Sequence, residues 1–178
     1  MGSTTSIDPA DLELKKLTCN VDPSIFDCTE DDGSDPHGLH AFITKEAEQY
    51  LSEGLGITYL AHHGQVPVAF LTMSMTNIPM NFLDNSEQVG EARFPYPAIL
   101  IGRLAVVKSF RGKSVGTYLT QWGIGLARQV AEKVGCRYVA LHTLEHRVSF
   151  YTRNPLNFIE SSFVRGDGKR LLYRRIIE

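Results

Sequence analysis

Apolar residues recur along this chain with two different periods, and the points where the period changes divide it into elements. Leu12 to Leu17 predicts a short strand. Asp22 to Gly38, rich in Asp, Ser, Pro and Gly, predicts a loop. Leu39, Phe42, Ile43, Ala47, Tyr50 and Leu51 fall at helical spacing and predict a helix from Leu39 to Leu51, ended by Gly54 and Gly56. Ile57 to His62 and Val66 to Met75 predict two strands joined by a turn at His63-Gly64-Gln65. In the second of these neither alternate set of residues is strictly polar, which predicts a central strand. Asn77 to Pro97 has no clear period and contains Pro79, Pro95 and Pro97. It predicts a long loop of the kind that frames a site.

The second half repeats the alternation of strand and helix. The apolar run Ile99 to Val107 predicts a strand, and Thr117 to Lys133 a helix carrying Leu119, Trp122, Ile124, Leu126, Val130 and Ala131. Arg137 to His142 predicts a short buried strand. Glu145 to Arg153 predicts a short helix broken by Asn154-Pro155. Phe158 to Val164 and Arg170 to Ile177 predict a final hairpin around Gly166-Asp167-Gly168. This order describes one α/β (α+β) domain, residues 12–178, with a mixed, mostly antiparallel sheet flanked by helices and one right-handed crossover. Residues 1–11 are expected to be a flexible N-terminus. Met1 to Ser6 matches a myristoylation pattern on paper, but no polybasic patch follows to supply a second membrane signal.

The chemistry concentrates where the Ile99–Val107 run meets the long helix, at Arg111-Gly112-Lys113-Ser114-Val115-Gly116. A strand that ends in a basic turn of small residues and feeds a helix offers inward-pointing amides and a favourable dipole to phosphate. The amides from Gly112 to Gly116 and the Thr117 hydroxyl are the expected contacts for a pyrophosphate, with Arg111 and Lys113 adding charge. Tyr151, after the next strand, is the candidate proton donor, its alternative being a core tyrosine beside Phe150. Arg93 and Arg103 are candidates to meet an acidic acceptor or RNA phosphate. Glu46, Glu145 and His142 are candidate bases, as is a water chain.

Composition narrows the setting. The chain has 178 residues, 43% of them hydrophobic, enough for one ordinary core. A net charge of −2 gives no global field for nucleic acid, so an RNA partner needs a local basic patch. Cys19, Cys28 and Cys136 are an odd count without metal-type pairing, which suits a reducing cytoplasm. No apolar run approaches membrane-spanning length. Val164 and Leu171-Leu172-Tyr173 are expected at a sheet edge, where a homodimer could pair.

With these residues in place the chain resembles the GCN5-related N-acetyltransferases (GNAT). That family's signature is Arg or Gln, two residues, Gly, one residue, then Gly or Ala, between a strand and a helix. Arg111, Ser114 and Gly116 occupy the defined positions here, with Ser114 in place of the first glycine at an expected cost in positive φ. Phe150-Tyr151 is similar to the family's Phe-Tyr element, and Asn157-Phe158 stands where the family has Gly-Phe. The resemblance implies acetyl-CoA as co-substrate, with no metal. It also implies backbone contacts from Leu104, Ala105 and Val106 to the pantetheine arm, Tyr151 as general acid, and transfer to a primary amine. Ile101 to Val106 and Phe26-Asp27-Cys28 are similar to the toxin-type branch, which implies the amino group of aminoacyl-tRNA as acceptor and an antitoxin as partner.

Two other classes stay open. Ser114 and the displaced Asn157-Phe158 would suit an acetyl-CoA-binding protein with little catalysis. His142-Thr143-Leu144-Glu145-His146 matches an inverted zinc-hydrolase motif, using His142, Glu145 and His146. That motif needs both histidines on one helix face and a further carboxylate, for which only Glu160, Asp167 and Glu178 follow. A P-loop is excluded by Val107 where its first glycine belongs. The acidic run Glu30-Asp31-Asp32 with Asp35 reads as a solvated loop, and His62-His63 as turn or surface histidines.

Overall fold

The computed structural model describes residues 7–89, 95–164 and 166–176. Its seven strands form one mixed sheet in the order β1-β2-β3-β4-β5-β7-β6. They are β1 (Leu12–Lys16), β2 (Ile57–His63), β3 (Val66–Ile78), β4 (Tyr96–Val106), β5 (Tyr138–Thr143), β6 (Ile159–Val164) and β7 (Arg170–Arg175). The helices are α1 (Leu39–Ala41), α2 (Ala47–Ser52), α3 (Val115–Ala131) and α4 (Val148–Thr152). Element order and fold class match the sequence reading. Backbone contacts group the chain into two units, Met1–Met73 with Arg103–Thr120, and Ser74–Gly102 with Gln121–Glu178.

In the first unit β1 pairs antiparallel with β2, and β2 with β3. Gly64, at φ 61°, closes the tight turn between His63 and Val66. Pro67 to Met73 is buried residue after residue, so the missing polar face of β3 does mark a strand covered on both sides. Thr58 and Thr72 share a buried hydroxyl–hydroxyl bond of 2.9 Å across that pairing. The helix expected over Leu39–Leu51 runs through α1, a π-helical segment Phe42–Glu46 and α2. Phe42 and Ile43 enter a core with Leu17, Val21, Phe26, Cys28, Leu60, Phe70 and Ala105. Asp35 caps this helical stretch, accepting from the amides of Leu39 and Ala41 at 2.8 Å each. The acidic loop is therefore partly structural rather than simply solvated.

In the second unit β4 runs parallel to β5, with Ala98–Ile101 opposite Tyr138–Leu141. β5 and β6 each pair antiparallel with β7. Tyr138 meets Tyr96 and Tyr173 edge to face, with ring centroids 6.0 and 5.6 Å away. Part of the long loop is pinned here. Buried Glu87 accepts from Arg175 at 2.6 Å and from the Tyr138 hydroxyl at 3.0 Å. Phe82 stacks on Phe163 at 3.6 Å.

Two expectations change. β7 lies between β5 and β6, and Leu171, Leu172 and Tyr173 are buried, so they do not form a sheet edge. Continuous burial, not exposure, is why that run is apolar. In the described part of the N-terminus Pro9–Asp11 forms a 3-10 turn capped by Asp8, and the Ile7 amide donates to the Lys113 carbonyl at 3.2 Å. Strands β3 and β4 also reach further into the expected loop, to Ile78 and back to Tyr96. Met1 to Ser6, Arg93 and Glu178 lie outside the described residues. Among the described residues, no helix is long and apolar enough to cross a membrane.

Candidate functional site

β4 delivers the chain to a 3-10 turn, Lys108–Phe110, and the segment after it turns into α3. Two residues of that segment are left-handed, Gly112 at φ 73° and Ser114 at φ 66°. Glycine takes this conformation freely, whereas a side chain at Ser114 makes it costly. Serine thus performs the job of the missing glycine and carries the expected strain. At the start of α3 the Tyr118 amide donates to the Ser114 carbonyl at 3.0 Å. By helix geometry the amides of Val115, Gly116 and Thr117 precede any intrahelical partner. They must be satisfied from outside the helix, as an anion would do. The parallel ladder with β5 stops at Ile101, so Leu104, Ala105 and Val106 lie beyond it on the same strand.

The side chains of the turn divide the work differently from the expectation. Arg111 does not hold its guanidinium ready for phosphate. One terminal nitrogen donates to the carbonyls of Cys28 at 2.9 Å and Thr29 at 2.8 Å, and Nε donates to that of Val106 at 3.3 Å. The other terminal nitrogen lies 3.6 Å from a Glu30 carboxylate oxygen. A planar fork of donors suits such multiple acceptance. Lys108 adds a second tie, its amide to the Asp27 carbonyl at 3.1 Å and its ammonium 3.4 Å from the Asp27 carboxylate. Hydrogen bonds from Thr29, with Lys108 adding a smaller effect, hold the Asp27 carboxyl down at about 2. Burial pushes the Cys28 thiol up to about 12, so it is no nucleophile at neutral pH. The sequence signal for this fastening was an acidic run in a chain with one arginine at the start of the turn.

Tyr151 lies on α4 in the second unit. Its ring meets Phe150 and Phe158 edge to face, at 4.7 and 6.0 Å. Burial pushes its phenol up to about 12, against a smaller opposing pull from Arg147. It therefore stays protonated throughout the physiological range. The Phe158 amide donates to the Tyr151 carbonyl at 3.0 Å, and Asn157 is left-handed at φ 49°. Asparagine tolerates that region, which accounts for its standing in a glycine position.

The other candidates separate. His142 is on β5 and His146 in the 3-10 turn Glu145–Arg147, so they do not share a helix face as the zinc motif requires. Glu145 is bound by Arg170 at 2.7 and 3.1 Å. Among the described residues no group of three or more His, Cys, Asp or Glu could hold a metal. Arg103 lies over the Phe42 and Tyr50 rings at 3.9 and 4.7 Å and donates to the Tyr50 hydroxyl at 3.2 Å. Glu46 is exposed at the end of the π-helical segment.

Comparison with known proteins gives a consistent picture. Residues 23–155 match the family model of the Acetyltransferase (GNAT) family. A tRNA-acetylating toxin of Mycobacterium tuberculosis is 36% identical over 58 residues, or 32% of this chain and 35% of that protein. The match thus spans about a third of the length of that relative. AtaT complexed with acetyl-methionyl-tRNA superposes with a TM-score of 0.75 at 20% identity, covering 92% of this chain and 94% of that one. An AtaT variant bound to the C-terminus of the antitoxin AtaR and to acetyl-CoA gives 0.69 at 20% identity, covering 93% and 94%. At these identities the structural likeness carries the fold.

Relieving the strained turn residue is a direct check on this geometry. Ser114→Gly is expected to raise the unfolding free energy by up to about 1 kcal/mol, since a non-glycine residue there costs ~1–2 kcal/mol and glycine returns part as chain entropy. Urea unfolding reads this as a higher midpoint; an unchanged or lower midpoint would mean that Ser114 carries no net strain.

Proposed function

The chain belongs to the acetyltransferase (GNAT) family, and on that premise we propose that it transfers acetyl from acetyl-CoA to a primary amine, the amino group of an aminoacyl-tRNA. The observation that carries this reading is the strand–turn–helix at Val106–Thr117, where two left-handed residues lead into helix amides lacking an intrahelical partner. The named relatives, one acetylating tRNA and one complexed with an acetylated aminoacyl-tRNA, support the choice of acceptor. So does local charge. The whole chain is slightly acidic, yet residues 121–178 carry ten lysines and arginines against five aspartates and glutamates. The proposed setting is the cytoplasm, and the antitoxin complex of AtaT supports an antitoxin as further partner.

Acetyl-CoA supplies an activated acyl group on a thiolate leaving group. The chain's residues hold and protonate. The amides of Gly112 to Thr117 would bind the pyrophosphate, with Lys113 adding charge and Arg111 holding the turn rather than the phosphate. Backbone groups of Leu104, Ala105 and Val106 would align the pantetheine arm, one N–H polarising the thioester carbonyl. Holding thioester and amine together can be worth ~7–11 kcal/mol. As the amine nitrogen bonds to the acyl carbon and the C–S bond breaks, Tyr151 gives its hydroxyl proton to the departing sulfur, the amine nitrogen releases its surplus proton to water, and the phenolate is reprotonated from water after the thiol has left. Its raised pKa keeps that proton in place until then, and a thiolate leaving into similarly desolvated surroundings is made more basic in step.

Three outcomes are expected. Tyr151→Phe lowers kcat by about 10²–10⁴-fold, the usual worth of a positioned proton donor, and leaves acetyl-CoA affinity as in the wild type. An unchanged kcat removes Tyr151 from the chemistry and favours a binding protein with a slow side reaction. The pH profile of kcat/KM rises through the ionisation of an α-amine, near about 8. It does not fall again below pH 10, because Tyr151 loses its proton only near 12. A midpoint above 10 would instead indicate a lysine-type acceptor. Gly116→Glu puts bulk and negative charge at the pyrophosphate and abolishes acetyl-CoA binding in calorimetry; retained binding would sink the assignment of the turn. Acetyl transfer to a panel of aminoacyl-tRNAs, with free amines as comparison, then tests the acceptor.

A further inference from the structure

A helix brings two side chains onto one face only at certain spacings. At about 100° per residue, positions eight apart in a regular α-helix stand about 80° from each other, whereas positions seven apart nearly coincide. Phe42 and Tyr50 are eight apart. Between them the Ala47 amide donates to the Phe42 carbonyl, a π-turn that takes in one extra residue. Tyr50 is thereby set back to the place of a seventh residue, and its ring meets Phe42 edge to face at 5.1 Å between centroids. Such turns are rare within helices and recur at functional sites. What the two rings hold is Arg103, from β4 in the same unit. Its guanidinium carbon lies 3.9 Å from the Phe42 centroid and 4.7 Å from that of Tyr50, and one terminal nitrogen donates to the Tyr50 hydroxyl at 3.2 Å. The face of the cation is thus occupied and its position fixed, but its edge is not used up. A guanidinium carries five N–H donors. Among the described residues only the Tyr50 oxygen accepts from Arg103, and no carboxylate pairs with it. The side chain is half-buried, so the open donors are partly withdrawn from water. A planar cation stacked on aromatic rings with its fork of donors open is suited to an oxyanion of phosphate geometry.

We propose that Arg103 is a specificity-determining residue for the acceptor, its fork taking the phosphodiester on the 5′ side of the terminal adenosine of aminoacyl-tRNA. This rests on the acetyl-transfer reading given above. Arg103 directly precedes Leu104, the first of the three residues whose backbone would align the pantetheine arm. Consecutive Cα atoms are about 3.8 Å apart, and an attacking nitrogen has to come within about 3–3.5 Å of the thioester carbon. An acceptor amine at the thioester therefore brings what is joined to it close to Arg103. In an aminoacyl-tRNA the carboxyl group is esterified, so the anion nearest the amine is the phosphate one ribose away. A lysine side chain or a polyamine offers no anion at that distance. The aromatic seat keeps the fork in place before the acceptor arrives, which reduces the ordering cost of binding. The resulting preference for a phosphate-bearing acceptor weakens as salt rises.

The test measures acetyl transfer to two small acceptors, 3′-O-aminoacyl-adenosine 5′-phosphate and 3′-O-aminoacyl-adenosine, which differ only in that phosphate. Their aminoacyl group is the one best accepted in the aminoacyl-tRNA panel. The wild type is expected to favour the phosphorylated acceptor in kcat/KM. Arg103→Gln is expected to cut that preference about tenfold or more, the worth of one charge-assisted hydrogen bond, with acetyl-CoA affinity in calorimetry as in the wild type. With aminoacyl-tRNA itself, the slope of log kcat/KM against log salt is expected to become shallower by about 0.7, the share of one phosphate on a single strand. Arg103→Lys keeps the charge but not the planar fork, and is expected to lose part of the preference; it decides in the same way should the glutamine variant not fold. A wild type indifferent to the phosphate, or a variant that loses activity equally on both acceptors or keeps the wild-type preference, overturns this role alone. A wild type that binds acetyl-CoA but acetylates neither small acceptor nor any aminoacyl-tRNA overturns the acceptor reading and this role with it.

Discussion

Between β4 and α3 the chain passes through two left-handed residues, and such a turn keeps its shape only if its start is fixed from outside. The Arg111 guanidinium does this by donating to the carbonyls of Val106, Cys28 and Thr29. One planar cation thus joins the end of the strand, the beginning of the turn and a loop about eighty residues earlier in the chain. The acidic run around it has a second effect. Glu30 and Asp27 would repel a pyrophosphate, and their closeness to Arg111 and Lys108 offsets part of that field.

Most of the fold was legible because its burial is periodic. The strands and both principal helices follow from apolar spacing, and the double-sided burial of β3 follows from the absence of a polar alternate set between Val66 and Met73. The place of β7 was not legible. An apolar run near the C-terminus fits an exposed edge and a buried interior strand equally well. What separates them is pairing to β5, a contact made across more than twenty residues of sequence. The N-terminal turn was hidden for a related reason, since Ile7 is tied to Lys113 by a backbone bond that no side-chain pattern announces.

At the candidate site the positions of small residues were readable, while the roles of the charged ones were not. Ser114 and Asn157 stand where glycine is expected, and both adopt the left-handed conformation that the position demands. Backbone geometry here prevailed over residue preference, at a cost that the sequence made foreseeable. The sequence offers Arg111 to a pyrophosphate and Arg103 to an acidic acceptor or RNA phosphate, yet each is committed within the fold, one to carbonyls and the other to the Phe42 and Tyr50 rings. A long cationic side chain can reach many partners, and only the packed structure decides among them.

The two rims of the sheet set a limit on how this chain can associate. β1 forms one rim, and its five residues carry Glu13, Lys15 and Lys16, with Lys15 and Glu13 2.9 Å apart. β6 forms the other, and its register with β7 shifts between Glu160 and Val164. Short, charged or irregular borders are poor templates for an incoming strand. Both rims are therefore poor templates for extension by backbone pairing, which favours recognition of a partner through side chains and loops.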